Sequence, residues 1–198
     1  MIRVVLLDLD GVIRHFDPSY TADIENRYNL QRGKLASCAF AHPLIDQVTT
    51  GQITRSDWIR RIGQQVGVAQ AAEEWGAQPA RVEDSVLMLM REVRDAGLRT
   101  AVLTNGTDSI SAELSALGIA CQFDAIFNSA TIGHAKPDRR AFEHVLDALS
   151  VKGSEVLFVD DSASNLLGAE RLSIHTHLYT DVATLRAALI AGGVALTA

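Results

Sequence analysis

The stretch Val4-Val5-Leu6-Leu7-Asp8-Leu9-Asp10-Gly11-Val12 decides how this chain is read. Its apolar run has the length of a buried strand, and it ends by delivering two carboxylates, one residue apart, to a glycine turn. Residues two apart on a strand share a side, so Asp8 and Asp10 are expected to face one site. Unpaired charge at a buried strand end is costly. Two like charges held that close call for a divalent metal or for unequal protonation. Taken alone, the same residues also describe an ordinary Asp-Gly turn, and the residues at the ends of the other strands have to separate the two readings.

Apolar runs at 2–8, 99–104, 123–128, 155–160 and 174–179 read as five buried strands. Helix-period segments at 85–96, 108–117, 138–149, 163–172 and 181–191 alternate with them, as where Val86, Leu89, Met90 and Val93 form one stripe closed by Gly97. Such alternation implies an α/β fold with a doubly wound, Rossmann-like parallel sheet. Residues 17–81 break the rhythm and contain no convincing strand. There Tyr20, Ile24 and Tyr28 recur at four-residue spacing, as do Trp58, Ile62 and Val66, and Thr54-x-x-Asp57 looks like a capping box. The expected organisation is a core of residues 1–16 and 82–198 with a small helical insertion at 17–81, hinged near Pro18 and Gln78-Pro79.

The chain has 198 residues, 47% of them hydrophobic and 21% charged, which suits a globular core with one insertion. A net charge of −6 with no basic block argues against a nucleic-acid partner. Arg55, Arg60 and Arg61 form the one local basic cluster, enough for a small anion. The apolar runs are too short to span a membrane, and the first ends in Asp8 and Asp10 instead of a secretory cleavage site. Cys38 and Cys121 lie far apart and are expected to be reduced, buried thiols of a cytoplasmic protein. Monomer and homodimer stay open.

Ligands of open parallel sheets bind beyond the carboxyl ends of the strands. The first strand ends in Asp8 and Asp10, the second in Thr104-Asn105-Gly106-Thr107. After the third comes Gly133-His134-Ala135-Lys136-Pro137-Asp138, and the fourth ends in Asp160-Asp161-Ser162 with Asn165 one turn further on. Four acids, a hydroxyl, a lysine and two helix N-termini thus converge. Helix N-termini cradle phosphate, and carboxylates without His or Cys suit a hard Mg²⁺. Each piece alone has a structural explanation; their joint appearance does not.

Asp8-Leu9-Asp10-Gly11-Val12, Leu103-Thr104-Asn105, Lys136-Pro137-Asp138 and Val159-Asp160-Asp161 resemble, in order, the four motifs of the haloacid dehalogenase-like superfamily. The insertion resembles that family's small helical cap, and the chain is most similar to the phosphatases of the epoxide-hydrolase N-terminal and sugar-phosphate type. The resemblance implies a five-strand order of 5-4-1-2-3 and a Mg²⁺-dependent phosphomonoester hydrolase. It casts Asp8 as the nucleophile that forms an aspartyl-phosphate and Asp10 as acid and base. Thr104, Asn105 and Gly106 would hold phosphoryl oxygens, and Lys136 would offset their charge. Asp8, the Asp10 carbonyl and Asp161 would ligate Mg²⁺, with Asp160 as a further ligand or an outer partner and Asn165 in the outer shell. An acid–base residue serves ester cleavage and is superfluous for displacing halide, so Asp10 points away from dehalogenation. Two positions depart from the pattern: Arg139 replaces a second proline, and Ser173 a glycine before the last strand.

Specificity is expected to come from the insertion and its entrance, with His15, Phe16, Tyr20, His42, Gln47, Thr50 and Arg55 as candidates and His134 beside Lys136. Each has a packing or solvated-loop explanation, and Trp58 on its apolar stripe reads as core. A small cap leaves room for a compact phosphorylated metabolite such as a sugar phosphate. A phosphomutase of the β-phosphoglucomutase type remains the alternative, and a non-catalytic binding module a remote one.

Overall fold

A computed structural model describes residues 1–196. In chain order the elements are β1 (Val4–Leu7), β2 (Arg14–Phe16), α1 (Pro18–Arg27), α2 (Lys34–Ala39), α3 (Leu44–Thr49), α4 (Arg55–Val66), α5 (Ala69–Gly76) and β3 (Ala80–Val82). Next come α6 (Asp84–Asp95), β4 (Arg99–Thr104), α7 (Ile110–Ala116), β5 (Ala125–Asn128), α8 (Ser129–Ile132), α9 (Arg139–Leu149), β6 (Val156–Asp160), α10 (Ala163–Glu170), β7 (His175–Leu178) and α11 (Val182–Ala191).

Five parallel strands form one sheet in the order β5-β4-β1-β6-β7. Numbered among themselves and read from the β7 edge, they run 5-4-1-2-3, the expected order. The central strand is buried on both faces, as parallel sheets require. Val5 and Leu7 pack with Val86, Met90 and Leu185 of α6 and α11, while Val4 and Leu6 pack with Phe142, Val145 and Leu166 of α9 and α10. This explains why β1 reads as an unbroken apolar run instead of an alternating one.

Five helices fill the region from Pro18 to Gly76 and close on a core of their own that includes Ile24, Leu35, Val48, Trp58, Ile62 and Trp75. Thr54 caps α4 by accepting from the Asp57 N–H, as the sequence suggests. The sequence expectation of no strand in 17–81 fails at its end, where β3 pairs antiparallel with β2. With three residues each and mixed polarity, neither strand carries a period-2 signal. This short ribbon joins the helical unit to the sheet. The unit also touches the loop after β4 and helix α8: the Arg55 N–H donates to Asp108 Oδ1 (2.7 Å), and Gly51 lies so close to the Ala130 carbonyl that a Cβ would stand 2.2 Å from its oxygen.

Cys38 is buried, but Cys121 is exposed, because it falls in a surface turn between α7 and β5 and not in an apolar element. Among the described residues no helix is long and apolar enough to cross a membrane.

Ser173 takes φ of 59°, a left-handed conformation that costs a side-chain-bearing residue about 1–2 kcal/mol. Part of that is returned to the unfolded state when glycine is introduced, so Ser173→Gly should stabilise the chain by about 0.5–1 kcal/mol and raise Tm by roughly 1–4 °C. A thermal melt checks this, and an unchanged or lower Tm would contradict it.

Candidate active site

The parallel register sets the site. Leu7 of β1 lies opposite Val159 of β6, so the next residues, Asp8 and Asp160, leave the sheet side by side. Lys136 reaches in from the loop before α9 and sits between them, its Nζ 2.8 Å from Asp8 Oδ1 and 2.6 Å from Asp160 Oδ2. All three side chains are nearly buried, Lys136 and Asp160 at 1% and 0% exposure. Asp8 Oδ1 also accepts from the Leu9 N–H at 2.7 Å, so both of its bonds fall on one oxygen and none on Oδ2.

Asp160 is saturated. Its Oδ1 accepts from the Ser162 N–H (2.8 Å) and Asn165 Nδ2 (3.0 Å), its Oδ2 from Lys136 and Asn165 Nδ2 (3.1 Å). Asp161 completes a group in which one carboxylate oxygen of each of Asp8, Asp160 and Asp161 lies within 4.8 Å of the others. Burial pushes the Asp8 carboxyl up to about 7 against the pull of Lys136, and the Asp160 charge adds to the rise. Burial and then Asp160 raise Asp161 as well. The cluster holds more negative charge than one ammonium matches, and its all-oxygen donors fit a hard dication.

Two further features hold the geometry. Asn105 clamps the Lys136 backbone at both ends, donating Nδ2–H to its carbonyl (2.8 Å) and accepting its N–H (2.7 Å). The Asn105 side chain is thereby held in place against the Lys136 loop. Gly11 takes φ of 91°, and a Cβ there would stand 2.1 Å from Asp161 Oδ2, so a side chain would displace that carboxylate. Thr104 ends β4 at 1% exposure.

Asp10 points to a partner that the sequence reading did not single out. Arg14, 4% exposed, grips it at two points, Nε to Oδ1 at 2.5 Å and Nη2 to Oδ2 at 2.9 Å. Its remaining nitrogen donates to Glu113 Oε2 at 2.6 Å, and Glu113 Oε1 accepts from Ser109 Oγ (2.6 Å) with Arg55 Nε at 3.5 Å. The signal available in the sequence was the Asp10-to-Arg14 spacing, close enough to pair around a tight turn.

A cavity of about 410 Å³ opens beside Asp10, Asn105 and Gly106 under the helical unit. Of the candidates from the insertion and entrance, Phe16 and Arg55 line it; His15, Tyr20, His42, Gln47, Thr50 and His134 are not on its wall. His42 is exposed and paired with Asp46 at 2.6 Å, Thr50 donates to the Asp46 carbonyl, and Gln47 accepts from Arg61. Tyr20 packs against the helical core, and His15 lies in the β2–β3 ribbon. Trp58, read as core, does line the cavity, along with Trp75 and Phe40. A larger groove of about 830 Å³ between α4 and α5 is away from the strand-end acids.

The family model of the haloacid dehalogenase-like hydrolases matches residues 2–172, and the chain belongs to that family. Its Rossmann-like sheet gathers acids at the strand ends. The chain is 29% identical over 210 residues to the bifunctional epoxide hydrolase 2 of Sus scrofa, covering 92% of this chain but only 37% of that protein. It is 28% identical over 145 residues to the sesquiterpene phosphatase astK of Aspergillus oryzae, covering 70% and 74%. A haloacid dehalogenase family enzyme of Bacteroides thetaiotaomicron, solved with magnesium and inorganic phosphate, has the same fold with a TM-score of 0.76 at 22% identity, over 93% of this chain and 99% of that one.

Gly11→Ala should weaken divalent-cation binding at least ~10-fold through displacement of Asp161 while circular dichroism still reports a folded chain. Calorimetric titration with Mg²⁺ or Mn²⁺ measures it, and undiminished affinity would remove Asp161 from the ligand set.

Proposed function

We propose that this chain is a Mg²⁺-dependent phosphomonoester hydrolase working through an aspartyl-phosphate on Asp8. The observation that carries the reading is the Asp8 carboxylate itself. One oxygen is pinned by Lys136 and the Leu9 N–H, and the other is left open inside a metal-capable acid cluster with a second acid, Asp10, at the rim. Phosphoryl transfer needs mainly positioning and charge neutralisation, which such a site offers.

In this reading Asp8 Oδ2 attacks phosphorus as the ester P–O bond breaks, and Asp10 gives its proton to the departing alkoxide. Water then attacks the phosphorus, Asp10 takes its proton, and the Asp8–phosphorus bond breaks to release inorganic phosphate. Lys136 and the Thr104-Asn105-Gly106 turn would receive the phosphoryl oxygens. Arg14 would fix the aim of Asp10 by its two-point grip. Asp8 and Asp161 would be the carboxylate ligands of Mg²⁺, joined by the Asp10 carbonyl. Asp160, whose oxygens are all engaged, would orient Lys136 and the metal's surroundings. The ion would neutralise charge on the transferring phosphoryl group. Residues 17–81 would act as a cap over a core of 1–16 and 82–198. The substrate is proposed to be a small phosphorylated metabolite; the Aspergillus relative is named a sesquiterpene phosphatase.

Phosphate release from a panel of phosphomonoesters should require Mg²⁺, stop with EDTA, and fall ~10³-fold or more in Asp8→Asn. Wild-type rates in that variant would rule Asp8 out as nucleophile. Isomerisation that needs a bisphosphate, with no phosphate released, would make the chain a mutase instead.

The Asp8 shift predicts a pH dependence. Its pKa rises from 3.8 to about 7 on folding without metal, so this group's stabilisation is whole below 3.8 and lost as pH climbs through about 7. A dication competes with that proton. The rise in Tm produced by Mg²⁺ should therefore be larger at about pH 8 than at about pH 5.5. Equal shifts at both would mean that the ion does not displace a proton from this cluster.

A further inference from the structure

A compact sugar phosphate is the substrate that cap size alone suggests, but the cavity beside Asp10 has the wrong chemistry for one. Its volume of about 410 Å³ lies within the range of small-molecule sites. The walls are aromatic and aliphatic: Phe16, Phe40, Trp58, Trp75, Val48 and Leu117. Trp58 and Trp75 meet edge-on at 5.5 Å between ring centroids, and Phe40 stands 6.1 Å from Trp75 at the mouth, 57% exposed.

The polar groups on the wall are already engaged. Trp58 Nε1 donates to the Ala39 carbonyl and Trp75 Nε1 to Thr21, so both indoles have their polar edge bonded to protein. Asp10, Arg14, Glu113 and Arg55 bind one another, and Arg55 also holds the Gly76 carbonyl. Thr49 donates to the Ile45 carbonyl, Thr107 pairs with Ser109, and Asn105 is spent on Lys136. Among the described residues, Gln78 is the one polar wall side chain without a protein partner. A sugar entering here would shed the water from four or five hydroxyls against a largely aromatic and aliphatic wall, whose polar side chains other than Gln78 already have protein partners.

We infer that this cavity receives an apolar leaving group, so that the preferred substrates are phosphomonoesters of alkyl, isoprenyl or aryl alcohols over sugar and polyol phosphates. The inference rests on the phosphatase reading and narrows it. The phosphoryl group sits at Asp8 and Lys136, the ester oxygen at Asp10, and the carbon chain runs beneath the helical unit toward Phe40. Burial of each added methylene is then worth roughly fourfold in kcat/KM, until the space is filled.

The test is steady-state phosphate release by the whole chain with Mg²⁺, on linear alkyl phosphates from ethyl to hexyl, phenyl phosphate, glucose 6-phosphate and glycerol 3-phosphate. Acetyl phosphate, with almost no leaving-group bulk, reports the chemistry alone. The expected result is a climb of roughly fourfold per methylene, with hexyl phosphate preferred over glucose 6-phosphate by about 100-fold or more. Turnover of acetyl phosphate with a flat alkyl series, or with the sugar ester preferred, overturns the inference and leaves the phosphatase reading standing. No release from any ester, acetyl phosphate included, overturns both. Phe40→Asp, at an exposed position, should cut the hexyl-to-glucose preference about tenfold. That ratio does not depend on how much of the variant is folded, and an unchanged value removes Phe40 from the wall that reads the chain.

Discussion

Lys136 carries its ammonium to the end of the sheet with a side chain 1% exposed, and the site depends on how that charge is held. A buried ion carries a desolvation penalty of several kcal/mol, repaid only where geometry and hydrogen bonding are good. Here the compensation comes from two carboxylates at 2.8 and 2.6 Å and from the Phe158 ring 5.3 Å away. The arrangement needs three separate pieces of the fold. The β1–β6 register puts Asp8 beside Asp160, the Asn105 clamp fixes the loop that bears Lys136, and Ser162 with Asn165 fixes Asp160. Three carboxylates against one ammonium leave a deficit of positive charge, which is why burial drives Asp8 and Asp161 toward their neutral forms and why a dication fits there.

Hydrogen-bonding capacity distinguishes the two acids of motif four. A carboxylate has about four acceptor sites, and Asp160 fills its own with Lys136, Ser162 and Asn165. Asp161, its immediate neighbour, points at Gly11, at a place that only a missing side chain keeps open. The glycine that looks like part of a turn therefore also serves the acid cluster, by yielding space to a residue 150 positions away in the chain.

Burial and charge decided which parts of the molecule were legible in the sequence. The three inner strands were, because burial on both faces writes β1, β4 and β6 as apolar runs, as at Val4–Leu7 and Val156–Asp160; the edge strands β5 and β7, expected to be buried too, are only partly so because each has a strand neighbour on one side alone. The strand-end residues were, because charge at the end of an apolar run has few structural explanations. The β2–β3 ribbon was not: three residues per strand give no periodicity. Nor was the cavity wall. Trp58 does pack in the helical core as its stripe suggests, but that it and Trp75 also border a space is not written in the helix pattern. The insertion's polar residues drew the eye instead, yet His42 and Thr50 are bound to their own helix. Arg14 was hidden because its meaning lies in contacts with Asp10, four residues away, and Glu113, ninety-nine away.

The Arg14 network links the two halves of the molecule's chemistry. Asp10, Arg14, Glu113 and Arg55 form a chain of paired charges from the rim of the acid cluster to the first turn of α4, and Arg55 in turn holds the end of α5 through the Gly76 carbonyl. Removing Arg55 from water beside Glu113 is favourable only while the helical unit is seated on the sheet. The same seating forms one side of the apolar space bordered by Trp58 and Trp75. A leaving group that fills the space strengthens that seating by covering apolar surface, while one that must bring its own water weakens it. On the proposed reading, selection of substrate and alignment of the acid would be one event, governed by how well the carbon end of the ester replaces water under the helices.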